Sequence, residues 1–264
     1  MNPRKPQFEQ LEPRLMMAVV SPVSHKLIAI IDDAETIKNV RGGNMGVIQL
    51  DFYAPNDPVV YTGFHARAVR DAALATKPAD TYFAFLKVSD ASGRIDVGAT
   101  KRALDFIANY SGPHIFVGAT LAQGPQVSLT KLPTWAYYEQ ELAEVRSAGV
   151  TVIGSAGNSF DGRLGVSYPA ISPHVICAMA DDGNKLWSFS NRLSTQIVVD
   201  KCLALSFKAG STSRAAGAAA GYVARTWDAG DTVDDIRAEL FAAGAWRRDA
   251  VTGIRYKRVV LPLA

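Results

Sequence analysis

The sequence predicts an α/β fold, a doubly wound and mainly parallel sheet with helices on both faces. Three observations carry this. From Lys26 onward, apolar runs of strand length alternate with segments of helical spacing, the pattern expected of crossover units. Several of those runs are apolar throughout, as strands covered on both faces must be. No internal repeat or low-complexity linker interrupts the series, so residues 23–264 are expected to form one domain, with 1–22 set aside as an N-terminal leader or processing segment.

Taken in order, KLIAIID (26–32) is a buried parallel strand that ends in two carboxylates, Asp32 and Asp33. HARAVRDAALA (65–75) is helix-prone, and TYFAFLKV (81–88) is again a strand. VGATKRALDFIANY (97–110) is an amphipathic helix followed by the strand HIFVGATL (114–121). TWAYYEQELAEVRSAG (134–149) repeats the helical spacing and closes on a glycine, and VTVIGSAG (150–157) is the strand after it. HVICAMA (174–180) and QIVVDKCLALS (196–206) supply two more strands. An Ala- and Gly-filled helix then opens at Ser213, whose hydroxyl suits an N-cap. Thr232 and Asp235 form a capping box for a last helix at about 233–243.

At 264 residues, with 48% hydrophobic and 20% charged side chains, the composition is that of an ordinary globular chain. A net charge of +3 from 28 basic and 25 acidic residues, with no basic block, leaves no electrostatic footprint for nucleic acid. No apolar run approaches the roughly 18 residues of a membrane span. Cys177 and Cys202 lack the spacing of a zinc site, and whether they pair depends on the compartment. Near the N-terminus FEQLEPRLM (8–16) resembles the LEPR-type leader of exported bacterial proteins. It points to an extracellular or cell-envelope location, with the cytoplasm as the alternative.

In folds of this class ligands sit beyond the carboxyl ends of the strands, which selects Asp32 and Asn158. Adjacent residues at a strand end point opposite ways, so one of Asp32 and Asp33 serves a given site. His65 starts a helical segment, and Ser213 starts another. Each has a bland reading as a cap or turn residue. Together, Asp32, His65, Asn158 and Ser213 follow one another at gaps of 33, 93 and 55 residues, all at element ends.

These segments resemble the subtilisin-like serine peptidases over residues 26 to about 245. IAIID matches that family's catalytic-Asp strand, with NVRGGNMG as the loop after it, and YTGFHARAVRDAALA its catalytic-His helix. VTVIGSAGNSFDGRLGVSYPAISPHVICAMADDGNKLWSFSNR carries its AGN, YPA and SFSN elements in order. Thr212, Ser213, Ala215 and Gly221 match its Gly-Thr-Ser-Met-Ala segment. The chain order Asp, His, Ser is the one known for subtilisin. The resemblance implies a serine endopeptidase with Ser213 as nucleophile, His65 as base, Asp32 as its orienting partner and Asn158 as oxyanion donor. It also implies an extended peptide or protein substrate, pairing beside SDASG (89–93) and ATLA (119–122). Thr120, Leu121, Ala122 and Gly124, with Gly154, Ser155, Ala156 and Gly157, would border its side-chain pocket.

The departures fall on the motifs. His-Gly-Thr-His reads His65-Ala66-Arg67-Ala68, the glycine before Thr-Ser is Ser211, and the methionine after it is Arg214. A second register for TGFHAR would put Thr62 in the histidine's place, and the chain would then be an inactive module that binds peptide or protein. The family's calcium loop is missing between the histidine helix and TYFAFLKV, so no metal and no cofactor are expected. The 31 residues ahead of Asp32 are too few for the family's folding prodomain, and a monomer is expected.

Overall fold

The computed structural model describes residues 25–33, 46–54, 64–90, 92–121, 127–194 and 202–261. The leader at 1–22, Thr62, Ala122 and Gly124 lie outside them. The described elements are β1 (Lys26–Asp32), β2 (Gly46–Asp51), α1 (His65–Leu74), β3 (Thr81–Lys87), α2 (Val97–Ala108), β4 (Ile115–Leu121) and α3 (Glu139–Ser147), then β5 (Thr151–Ser155), β6 (Val175–Asp181), β7 (Leu203–Lys208), α4 (Thr212–Thr226), α5 (Val233–Ala243), β8 (Gly244–Arg248) and β9 (Arg255–Val259). The strands form one sheet in the order β2-β3-β1-β4-β5-β6-β7-β9-β8. All pairings are parallel except that of β8 with β9.

Strand β1 shows why the sheet is covered on both sides. Its Leu27, Ala29 and Ile31 pack into one core with Ala103 and Leu104 of α2 and Leu142 of α3. Its Ile28 and Ile30 pack into the other with Val69 of α1, Ala216 of α4 and Leu240 of α5. Both alternating sets being apolar is what makes the run continuous in sequence.

Helix α4 is buried nearly all round, and its side chains from Ala215 to Gly221 are alanine or glycine. A Cβ on Gly217 would stand 2.2 Å from the Val69 carbonyl oxygen, and one on Gly221 would stand 2.4 Å from that of Ala73. The two glycines, one turn apart, therefore let the backbones of α1 and α4 touch. At the far end of α4 the Lys26 ammonium donates to Ala224 O at 3.1 Å and Trp227 O at 2.7 Å, a cation on the helix's negative pole.

Several boundaries differ from the sequence reading. Helix α3 starts at Glu139 and not at 134, because Trp135, Tyr137 and Tyr138 turn onto Tyr168, whose hydroxyl accepts the Tyr138 N–H at 2.7 Å. Strand β7 begins at Leu203 and runs on to Lys208, while 195–201 fall outside the described residues. The cap of α4 is Ser211, not Ser213: its extended backbone lets its hydroxyl accept the Arg214 N–H at 3.2 Å. The Thr232–Asp235 capping box is present at α5. Cys177 and Cys202 are free, buried thiols, and burial pushes Cys202 up to about 12 and Cys177 well above the usual range, so both are protonated.

Candidate active site

Asp32 ends β1, from which the chain goes on through β2 to α1 on one face of the sheet, whereas the neighbouring strands β3 and β4 lead to α2 and α3 on the other. That reversal is where open α/β sheets leave a crevice beyond their carboxyl ends. The Asp32 carboxylate is fully buried. It meets His65 Nδ1 at 2.7 and 2.9 Å. His65 is the first residue of α1, and its Nε2 lies 2.9 Å from Ser213 Oγ. With Nδ1–H donating to Asp32, the neutral ring presents Nε2 as an acceptor for the serine proton. Asp32, His65 and Ser213 are thus brought into one chain of hydrogen bonds.

Asp33 has a different task. Its carboxylate accepts the N–H of His65 at 3.2 Å and of Ala66 at 2.8 Å. Two orphan donors in the first turn of α1 are thereby satisfied from another element, since Phe64 at the cap position contributes no side-chain bond. Burial, with the adjacent Asp32 charge, raises Asp33 above the ordinary carboxylate range against the pull of those two N–H groups. At His65 burial disfavours the charged ring, but the Asp32 hydrogen bond and the charges of Asp32 and Asp33 outweigh it, and the imidazole titrates above its usual 6.5.

Ser213 lies in the first turn of α4, with 5% of its surface exposed. Thr212 beside it ties the helix to the turn after β5. Its N–H and hydroxyl each donate to Asn158 Oδ1 at 3.0 Å, and its hydroxyl oxygen accepts the Gly157 N–H at 3.2 Å. Gly157 has φ +101°, and a Cβ there would sit 2.3 Å from Ser167 Oγ, so the turn needs glycine on both counts. Oδ1 accepts from Thr212, and the amide nitrogen is the donor end of the Asn158 side chain. Asn158 itself is exposed.

The residues expected to border a substrate pocket are placed as follows. Thr120 and Leu121 end β4 and are buried, with β1 and β5 paired on either side. Gly154 and Ser155 end β5, and a Cβ on Gly154 would stand 3.0 Å from the Ala170 Cα. Ala156 is fully buried and leads into Gly157. Asp90 and Gly93 close a tight turn, with Asp90 N–H on Arg94 O and Gly93 N–H on Asp90 O, so SDASG is not an open strand edge at those two residues. Arg214, next to Ser213, lines a cavity with Lys208 and Ala218.

The sequence reading gave no role to Thr212, Asp33 or Gly217. Parity could not have found Asp33's. Asp32 shares the strand face of Ile28 and Ile30, which look toward α1 and α4, and alternation would send Asp33 to the other face. The strand ends at Asp32, however, and both carboxylates reach the first turn of α1. The Gly217 and Gly221 spacing, four residues apart on a helix, is visible as a close-approach stripe. Thr212 left no signal apart from its match to the Gly-Thr-Ser-Met-Ala segment.

The chain matches no protein-family model and no curated protein sequence. Its fold is similar to those of solved structures. One is a cold-adapted subtilisin-like serine proteinase, 19% identical over 90% of this chain and 89% of that one, with a TM-score of 0.68. Sphericase is 17% identical over 89% and 92%, with a TM-score of 0.63. The psychrophilic protease S41 is 15% identical over 89% and 92%, with a TM-score of 0.66. At these identities the likeness is one of fold, and the fold is the subtilisin-like one.

Proposed function

We propose that the chain is a serine endopeptidase that cleaves peptide bonds in extended polypeptides. One observation carries the reading: the His65 ring lies within hydrogen-bond reach of Asp32 on one nitrogen and of Ser213 on the other. A serine hydroxyl is a weak nucleophile at neutral pH and needs such a base beside it. The subtilisin-like fold supports the same reading.

In this mechanism Ser213 Oγ attacks the scissile carbonyl carbon while its proton passes to His65 Nε2. Asp32 holds the ring in the productive tautomer and stabilises the imidazolium. The oxyanion takes hydrogen bonds from Asn158 Nδ2 and from the backbone N–H of Ser213. Collapse breaks the C–N bond, and Nε2–H hands its proton to the leaving amine. Water, deprotonated by His65, then releases the acyl group from Ser213. Export to the cell envelope or beyond belongs to the same proposal and rests on FEQLEPRLM at 8–16.

A fluorophosphonate probe tests the reading directly. The folded protein is expected to be labelled on one serine, and Ser213→Ala to abolish the label. A folded protein that does not label refutes the peptidase and leaves an inactive module of the same fold.

A further inference from the structure

A second site lies on the outer side of α4. Lys208 at the end of β7, Arg214 in the first turn of α4 and Arg258 on β9 converge on a cavity of about 200 Å³. Its floor is apolar, made by Ala72 of α1, Ala75 at the C-cap of α1, Ala218 of α4 and Leu261. No acidic side chain lines it. The nearest one bonded to its walls is Asp181, which is fully buried. That carboxylate accepts from Arg258 Nε at 3.2 Å, from Ser206 Oγ at 2.8 Å and from Gly183 N at 2.8 Å. Asp181 therefore balances Arg258. The Lys208 and Arg214 side chains are exposed and have no carboxylate partner among the described residues.

Two uncompensated cations above an apolar floor call for an anion that carries an apolar group. The volume narrows the choice, because it falls below the roughly 300 Å³ at which sites for drug-sized ligands begin. Only a small apolar group fits. We infer that this cavity binds the C-terminus of a polypeptide, its α-carboxylate on Arg214 and Lys208 and its last apolar side chain over Ala72, Ala75 and Ala218. A chain end carries both groups on one Cα. An Asp or Glu side chain would bring the carboxylate without an apolar neighbour at that distance. The guanidinium of Arg214 suits a two-oxygen acceptor, and Lys208 adds a point charge.

The inference stands apart from the peptidase reading, and its test does not depend on turnover. The full chain carrying Ser213→Ala is titrated into a dye-labelled Gly/Ser hexapeptide that ends in leucine with a free carboxylate, and fluorescence anisotropy is read. Saturable binding is expected. It should weaken at least tenfold when the peptide's terminus is amidated, and at least tenfold in the Lys208→Gln/Arg214→Gln double variant, the effect of losing one charge-assisted hydrogen bond. Replacing the final leucine by serine should weaken it several-fold. Both substituted side chains are exposed, so the double variant's melting temperature serves as its folding control. The inference is overturned if the amidated peptide or the double variant binds as well, or if an amidated peptide with an internal glutamate binds as tightly. Absence of saturation up to about 1 mM peptide overturns it too. Fluorophosphonate labelling of unmodified Ser213 reports the peptidase reading separately.

Discussion

Replacing Gly217 by alanine sets two known forces against each other. In an open helix the change stabilises by about 1 kcal/mol, because glycine is the poorer helix former. In this protein the new methyl carbon would stand 2.2 Å from the Val69 carbonyl oxygen and 3.0 Å from its carbon, both backbone atoms that cannot swing aside. Ordinary contact begins near 3.4 Å, so α1 and α4 must part by about 1.2 Å in a core packed as densely as a crystal. Overpacking of this kind costs about 1–3 kcal/mol. Set against the helix gain, the net loss is at most about 2 kcal/mol, or a fall of several degrees in melting temperature for a domain of this size. The same displacement stretches the His65–Ser213 bond from 2.9 Å toward about 4 Å. Misplacement by about 1 Å can cost 10²-fold in rate. Circular dichroism melts and the second-order rate of fluorophosphonate labelling check the two effects on one sample. A variant that melts at or above the parent temperature and labels at the parent rate would show that the helices are not in contact as described.

Three further outcomes follow from the site. Labelling of Ser213 needs neutral His65, so its rate should rise with pH through a midpoint above 6.5. The stabilisation that the raised His65 pKa contributes runs the other way, fully present below 6.5 and lost as pH rises through the folded value; a labelling midpoint at or below 6.5 would contradict the influence of Asp32 and Asp33. Asp33→Ala should cost about 1 kcal/mol by uncapping α1 and Asp33→Asn less, with labelling retained, whereas Asp32→Asn should depress labelling by about 10⁴-fold. Equal sensitivity of the two in labelling assays would reverse their assignment. Asn158→Asp keeps the acceptor that holds Thr212 but removes the amide donor. It should slow labelling by roughly 10²-fold or more, the scale found for an oxyanion donor in subtilisin, with the melting temperature little changed.

What the sequence made legible was whatever repeats or is apolar throughout. The interior strands β1, β3, β4, β5 and β6 fall within two residues of their expected ends, since burial on both faces leaves no choice of residue. The edge strands β2 and β8, and β9 beside β8, were not expected at all. Five of the ten residues in GAWRR and RYKRV are Arg or Lys, and such strings read as loop. Likewise Trp135 to Tyr138 carry helical spacing yet leave the helix for an aromatic cluster around Tyr168, a tertiary preference that a local pattern cannot register. At the site, Asp32, His65 and Ser213 were chosen by residue type and order. Which serine capped α4 and which aspartate capped α1 depended on backbone direction.

The tether between Lys26 and the end of α4 has a consequence for length. Strand β1 holds the helix at both extremes, through Lys26 on Ala224 and Trp227, and through Asp32 and His65 on Ser213. Six steps of strand cover about 20 Å at 3.3 Å each. Eleven steps of helix, from Ser213 to Ala224, cover about 16 Å. Removing one residue from β1 would turn Asp32 to the opposite face, and removing one from the middle of α4 would swing Ser213 by about 100° relative to that anchor. Insertions and deletions are therefore confined to the connections. The spans of this strand and this helix form a fixed gauge, one by which chains of this fold can be aligned when fewer than a fifth of their residues agree.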